Sequence, residues 1–249
     1  MMEGHRGNYG RITSMALDPI EKKPIARFNP GTTVLSVGSY GCTMDCPFCQ
    51  NASIARAGAD DVPWREIAPD ELVAQALGLK AQRCIGIAYT YNEPLLGWRY
   101  VRDTGRLAHE AGLVNVLVSN GMASPHVLGE VAPLIDAANI DLKCFTEEGY
   151  RSLGGDLNVV KRTIETLANL DTCHVEVTTL VVPGLADDAG QIRAMSRWLA
   201  SLNPDIPYHL TRYFPRHRMR DVPATPVPLL YELADVARES LADVMLGNV

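Results

Sequence analysis

No apolar run in this 249-residue chain approaches the roughly 20 residues needed to span a bilayer. The stretch Met1–Arg11 also lacks the apolar centre of a secretion signal. Basic charge is not in excess: 23 Lys and Arg stand against 29 Asp and Glu, a formal charge of −6, so no general attraction to nucleic acid or anionic lipid is expected. The 20 glycines and 16 prolines are too few and too scattered for a collagen-like or disordered chain. No internal repeat, linker or low-complexity segment is visible. What remains is a chain 47% hydrophobic and 21% charged, enough for a proper core in one large domain or two small ones. The expectation is a cytoplasmic protein of enzyme size with neither a nucleic-acid nor a membrane partner.

The six cysteines do not form a disulfide framework, which would spread them along the chain. Cys42, Cys46 and Cys49 crowd into one loop, whereas Cys84, Cys144 and Cys173 are solitary and read as small core residues. The crowded three read as a metal site.

Around that loop, short β-branched runs alternate with helical patterns. Val34–Val37, Ile85–Thr90, Val114–Ser119, Asn139–Leu142, His174–Val182 and Tyr208–Thr211 predict buried parallel strands. Pro69-Asp70-Glu71 and Ser124-Pro125 open helices, Val160, Ile164 and Leu167 mark another, and Asp187-Asp188 precedes a stripe of Ile192, Met195, Leu199 and Leu202. A last amphipathic helix carries Leu229, Leu233, Val236 and Leu241. Repeated strand–helix units imply an α/β fold: a partial (β/α)6 barrel of parallel strands with outer helices, or an open doubly wound sheet. After the first strand stands Gly38-Ser39-Tyr40-Gly41-Cys42 in place of a Gly-rich dinucleotide fingerprint, which counts against the second. In either architecture chemistry sits at the C-terminal strand ends. The cysteines, Asn92-Glu93, Ser119-Asn120, and Asp141 with Lys143 all fall there. The first 30 residues read as an extended arm packed on a domain of residues 31–249.

The loop Cys42-Thr43-Met44-Asp45-Cys46-Pro47-Phe48-Cys49 has C-x3-C-x2-C spacing. Three thiolates on a tight loop can each bind one iron of a cubane and leave the fourth iron open to a substrate. The alternative is structural zinc, which wants a fourth ligand from distant Cys144, Cys173 or His174.

At this loop the sequence resembles the radical S-adenosylmethionine (SAM) superfamily, with Phe48 as the aromatic before the third cysteine. It is most similar to the radical SAM enzymes of the AmmeMemoRadiSam system, relatives of pyruvate formate-lyase activating enzyme. The resemblance is carried by Asp18–Phe28 (DPIEKKPIARF), Leu35–Asn51, Tyr89–Pro94 (YTYNEP), Ser119–Met122 (SNGM), Asp141–Lys143 (DLK), Val177–Gly184 (VTTLVVPG) and Pro207–Pro215 (PYHLTRYFP). Longer members of that group carry an N-terminal segment with its own cysteines; no cysteine precedes Cys42 here, so functions tied to that segment are not expected.

The resemblance implies a partial barrel, a 4Fe-4S cluster on Cys42, Cys46 and Cys49, and SAM as co-substrate, cleaved to a 5′-deoxyadenosyl radical that abstracts hydrogen. It also implies a low-potential electron donor as partner. The hydrogen donor is expected to be a glycyl-radical-type protein; direct modification of a small molecule or peptide side chain is the alternative, and a non-catalytic iron–sulfur or zinc protein the reading from another class. Phe48 is expected near the adenine or as a plain core aromatic. Asn92 and Glu93 occupy the place of the family's GGEP motif, with Glu93 accepting from the SAM ammonium or merely capping a helix near Leu95. Ser119 and Asn120 reach SAM's carboxylate or ribose, and Asp141 and Lys143 form the DxK element of the SAM site or a structural ion pair. Thr178 and Thr179 lie in the fifth strand, one side facing the ribose, with Thr179 taken as the contact. His209 marks the adenosine end or is a satisfied core histidine. Apart from the resemblance, Arg212, Arg216, His217, Arg218 and Arg220 form a basic stretch that reads as a solvated loop or as a receiver of an acidic substrate or partner peptide.

Overall fold

The structure is a computed structural model and describes residues 6–249; the first five residues of the expected arm lie outside them. Eight strands form its main sheet: β1 (Ser14–Pro19), β2 (Thr33–Gly38), β3 (Cys84–Tyr89), β4 (Val114–Ser119), β5 (Ala137–Asp141), β6 (His174–Val181), β7 (Tyr208–Arg212) and β8 (Val244–Gly247). They lie side by side in chain order. β2 through β8 are parallel, and β1 pairs antiparallel with β2 at one edge. The strand order runs from one edge to the other without closing, the arrangement of a partial barrel.

Helices α1 (Pro69–Gly78), α2 (Trp98–Glu110), α3 (Pro125–Val131), α4 (Glu147–Ser152), α5 (Leu157–Ala168), α6 (Ala189–Leu202) and α7 (Val227–Arg238) connect the strands. Their starts are chemically marked. Pro69 leads α1 with Asp70 and Glu71 in the first turn, Ser124 Oγ accepts from Val127 N, and Asp188 accepts from Gln191 N at 3.0 Å.

Period-two alternation then sorts the strand side chains. Leu35, Val37, Ile87, Tyr89, Leu117, Ile140, Val177, Tyr208 and Leu210 pack outward against the helices. Val34, Ala88, Val116 and Ala137 face the lumen and pack on Ile20 and Ile25. Gly86 is required in that layer: a Cβ there would stand 1.9 Å from Val114 O.

Ile20 and Ile25 belong to a strap that crosses the floor of the barrel after β1. Lys23 is tied to Asp18 at 2.7 Å, Asn139 Nδ2 donates to Pro24 O at 2.7 Å, and Arg27 pairs with Asp243 just before β8. The arm expected over the first 30 residues thus contributes an edge strand and then a floor spanning from β1 to β8.

Two further differences from the expected elements have plain causes. The last helix stops at Arg238; Leu241 lies beyond it, buried but non-helical. The four-residue strand β8 extends the predicted set of six parallel strands to seven, its apolar run too short to stand out.

Candidate active site at the mouth of the barrel

The cysteine loop leaves the C-terminal end of β2. Gly41, at φ +87°, turns the chain immediately before Cys42. Asn92 fixes this turn from the end of β3: its Oδ1 accepts from Ser39 N at 2.9 Å, and its Nδ2 donates to Tyr40 O and Gly41 O at 3.2 and 3.0 Å. The Asn92 amide is therefore spent on the loop backbone rather than presented to a ligand, a correction to its expected role. Asp45 N donates to Leu153 O, and Cys49 N to Cys46 O, so the loop is held at both ends.

All three loop cysteines are free thiols and half-buried. Burial, followed by the nearby Glu93 carboxylate, pushes Cys42 up to about 11. Cys46 is also raised by burial, against the pull of Lys143. Thiols held protonated in this way are ones a cation of iron would deprotonate. Cys42 Sγ accepts from Met44 N and Asn120 Nδ2, both at 3.5 Å. Phe48 is packed into the apolar core, the plainer of its two expected roles.

The next two strand ends converge on Glu93. Its carboxylate is 1% exposed and accepts from Leu95 N at 2.9 Å, Ser119 Oγ at 2.8 Å and Asn120 N at 2.8 Å. All three donors are neutral, and burial raises the acid from 4.5 to about 7. Glu93 fills the second of its expected roles, capping the turn Pro94–Gly97, and it does so beside the cysteine loop. Ser119 positions Glu93, while the Asn120 amide reaches Thr43 Oγ1 at 2.9 Å and Cys42.

From β5, Lys143 Nζ donates to Asp141 Oδ2 at 2.8 Å. Burial alone would lower Lys143, but Asp141 and then Cys46 outweigh it, and the ammonium is held well above its ordinary value. The pair thus faces the cysteine loop with its cation.

Register sets what lies deeper. Asp141 pairs with Thr178, and Thr178 with His209, so these three share the inner face. Thr179 faces the other way. It is fully buried, donates to Leu142 O at 2.6 Å and contacts Met195 of α6, so the sequence-based choice between the two threonines is corrected to Thr178. Among the described residues, Thr178 Oγ1 and Asn139 Oδ1, both on the inner face, are buried without a hydrogen-bond partner. His209 Nε2 is held by Glu176 Oε2 at 2.5 Å. Glu176 escaped the sequence reading; the only signal was its inward phase two residues before Thr178.

The donor set discriminates between metals. Of the three distant candidates for a fourth zinc ligand, Cys173 and His174 sit at the N-terminal start of β6, the opposite end of the barrel, where His174 binds Glu176 at 2.9 Å. Cys144 is fully buried in the core, its thiol directed at Thr146 O. Among the described residues no three His, Cys, Asp or Glu side chains converge closely enough to hold a single ion. Three thiols on one loop, with none of these three candidates beside them, suit a cubane with one open iron better than a closed tetrahedral site.

Comparison with known proteins agrees with this geometry. The family model described as the Radical SAM superfamily matches residues 36–194. The uncharacterized protein MJ0808 of Methanocaldococcus jannaschii is 36% identical over 251 residues, covering 97% of this chain and 71% of its own. Among solved structures, QueE from Escherichia coli superposes with a TM-score of 0.61 at 15% identity, covering 98% of this chain and 96% of that one. A domain of pyruvate-formate lyase-activating enzyme from Bacteroides vulgatus gives a TM-score of 0.56 at 17% identity, over 65% of this chain and 98% of that domain. Among the described residues no helix is long and apolar enough to cross a membrane.

Proposed function

The chain belongs to the radical SAM superfamily, and from that premise we propose that Cys42, Cys46 and Cys49 hold a 4Fe-4S cluster whose open iron binds SAM by its amino and carboxylate groups. Such a cluster, when bound and reduced by one electron, would supply the electron for cleaving the S–C5′ bond of SAM to methionine and a 5′-deoxyadenosyl radical, the hydrogen-abstracting species.

The residues of the mouth divide the binding work. Glu93 accepts a hydrogen bond from the SAM amino group, beside its own three neutral donors. Lys143, kept charged by Asp141, faces the carboxylate end and stabilises the adjacent Cys46 thiolate. Asn120 holds Cys42 and Thr43 in place. Thr178 and the free ring edge of His209 offer hydrogen bonds to the adenosine, and the floor below them keeps water out of the lumen.

The observation that carries this reading is Glu93, a buried carboxylate with no cationic side chain paired to it among the described residues, adjoining the three-cysteine loop. The hydrogen donor in this reading is a backbone glycine of a glycyl-radical-type protein. What supports it is the low wall of the mouth: β4 is joined to α3, and β5 to α4, by nothing longer than residues 120–124 and 142–146, which leaves room for a large partner.

The test is mass spectrometry for 5′-deoxyadenosine after anaerobic cluster reconstitution with SAM and dithionite. Product is expected from the native sequence and none from Cys46→Ala. A verified, intact cluster that yields no product would remove the enzyme reading.

A further inference from the structure

The connection that follows β7 has a use the SAM site does not absorb. It doubles back on itself, with a backbone bridge from Arg216 to Met219 and the Tyr213 hydroxyl donating to Met219 O. Its tip is bonded to the cysteine loop. Arg218 N donates to Pro47 O, between Cys46 and Cys49, at 2.9 Å; the Arg218 guanidinium reaches Asp45 O at 2.9 Å and Asp45 Oδ1 at 2.7 Å. Arg56 shares the same carboxylate at 3.4 Å, so one acid answers two guanidiniums. Arg216 and Arg220 are exposed and enter no ion pair among the described residues. Beside them Phe214 is 42% exposed, with the Arg212 guanidinium 4.8 Å from its ring centre.

We propose that this arginine hairpin, with Phe214, is the docking surface for an acidic, low-potential one-electron carrier protein. The inference rests on the radical SAM reading and names the partner that reading requires. A chain of net charge −6 repels an acidic protein in general, so a productive encounter needs a local positive patch to steer it. Exposed arginine and aromatic side chains are also the residue types that concentrate binding energy at interfaces. The hairpin is hydrogen-bonded to the residue between two of the three iron ligands, so a carrier seated on it is brought next to the cluster. One electron leaves the carrier, which is oxidised by one, and enters the cluster, which is reduced by one; no atom is exchanged.

The test uses the reconstituted full chain, reduced flavodoxin as the acidic probe, and the double variant Arg216→Glu/Arg220→Glu. These side chains lie outside the SAM site and make no hydrogen bond or ion pair among the described residues, and unchanged iron content and melting temperature verify the variant. Flavodoxin binding at low salt is expected to weaken roughly tenfold or more, and flavodoxin-driven 5′-deoxyadenosine formation to fall with it. The dithionite-driven rate stays at the native level, since a small reductant needs no docking. Rising salt is expected to weaken native binding while leaving the variant little changed. Equal flavodoxin affinity in the two proteins would overturn the proposal. So would an equal loss of the dithionite-driven rate, which would assign the hairpin to the SAM site. Unchanged flavodoxin binding with lost turnover of an acidic peptide or protein substrate would overturn it in favour of substrate docking. A native protein silent even with dithionite would instead defeat the radical SAM reading beneath it.

Discussion

Glu93 at the mouth and Glu176 at the floor are equally hidden from water, 1% and 0% exposed, yet their acidities move in opposite directions. Burial raises both. At Glu93 the opposing hydrogen bonds come only from a hydroxyl and two backbone N–H groups, and the acid ends near 7. At Glu176 the imidazoles of His174 and His209 join the N–H groups of Ala26 and Arg27 and overcome burial, bringing it to about 2. The Glu176 carboxylate is therefore satisfied within the chain, although Asn139 Oδ1 beside the strap is left without a partner. There the strap crosses, Phe28 stacks on His174 at 5.9 Å, and Arg27 closes on Asp243. The mouth has its anion, its thiols and its unpaired hydroxyl without the groups that would satisfy them. A site finished in itself serves folding; one left unfinished serves a ligand.

Substitutions at the two ends should separate function from stability. The largest effect is expected from Asp141→Ala. Its cluster should assemble with native iron content, whereas SAM cleavage falls by about a hundredfold because Lys143 loses the partner that holds it in place. SAM turnover at the native rate would remove Asp141 from the site. Next comes Glu176→Gln, which should leave reconstitution intact and cost roughly 3 kcal/mol in chemical denaturation, since a fully buried carboxylate loses the charge its hydrogen bonds serve. Loss of iron binding without loss of stability would reverse the assignment of the two ends. In the native protein this contribution is present above pH 4.5, the ordinary Glu value, and is lost as the pH falls through about 2.

The smallest effect is a proton. Glu93 in the folded chain keeps a proton between pH 4.5 and about 7 that the unfolded chain has already released, so its ionisation makes stability decline as pH rises through that window. The SAM amino group gives up its own proton to bind iron, and Glu93 accepts from it as the carboxylate, so SAM binding at pH 6 should release more than one proton, of which Glu93 supplies up to roughly 0.9. Calorimetric titration in two buffers of different ionisation enthalpy would show it, and Glu93→Gln should leave only the proton of the amino group. The same release from both proteins would mean that the amino group lies away from Glu93.

Much of this division was legible in the sequence. The β-branched runs announced six of the strands, and the polar residues at their C-terminal ends announced the mouth. The spacing of Cys42, Cys46 and Cys49 carried the family to which the chain belongs. The floor was not legible, because its bonds join residues as far apart as Arg27 and Asp243 or Ala26 and Glu176, and no local pattern encodes such pairs. Thr178 and Thr179 differ by one residue, and only the register with Asp141 decides which faces inward. Asn92 looked like a ligand residue by position, yet an amide can equally serve backbone, and here the turn before Cys42 consumes it. Helix α4 was missed because its six residues are too few for a periodic apolar face.

The most direct measurement of the central claim is the electron paramagnetic resonance spectrum of the reduced, reconstituted protein with SAM labelled with nitrogen-15 at its amino group. The account predicts a hyperfine coupling between that nitrogen and the cluster, which places SAM on an iron that the three cysteines leave open. A reduced cluster that binds SAM yet shows no such coupling would contradict it.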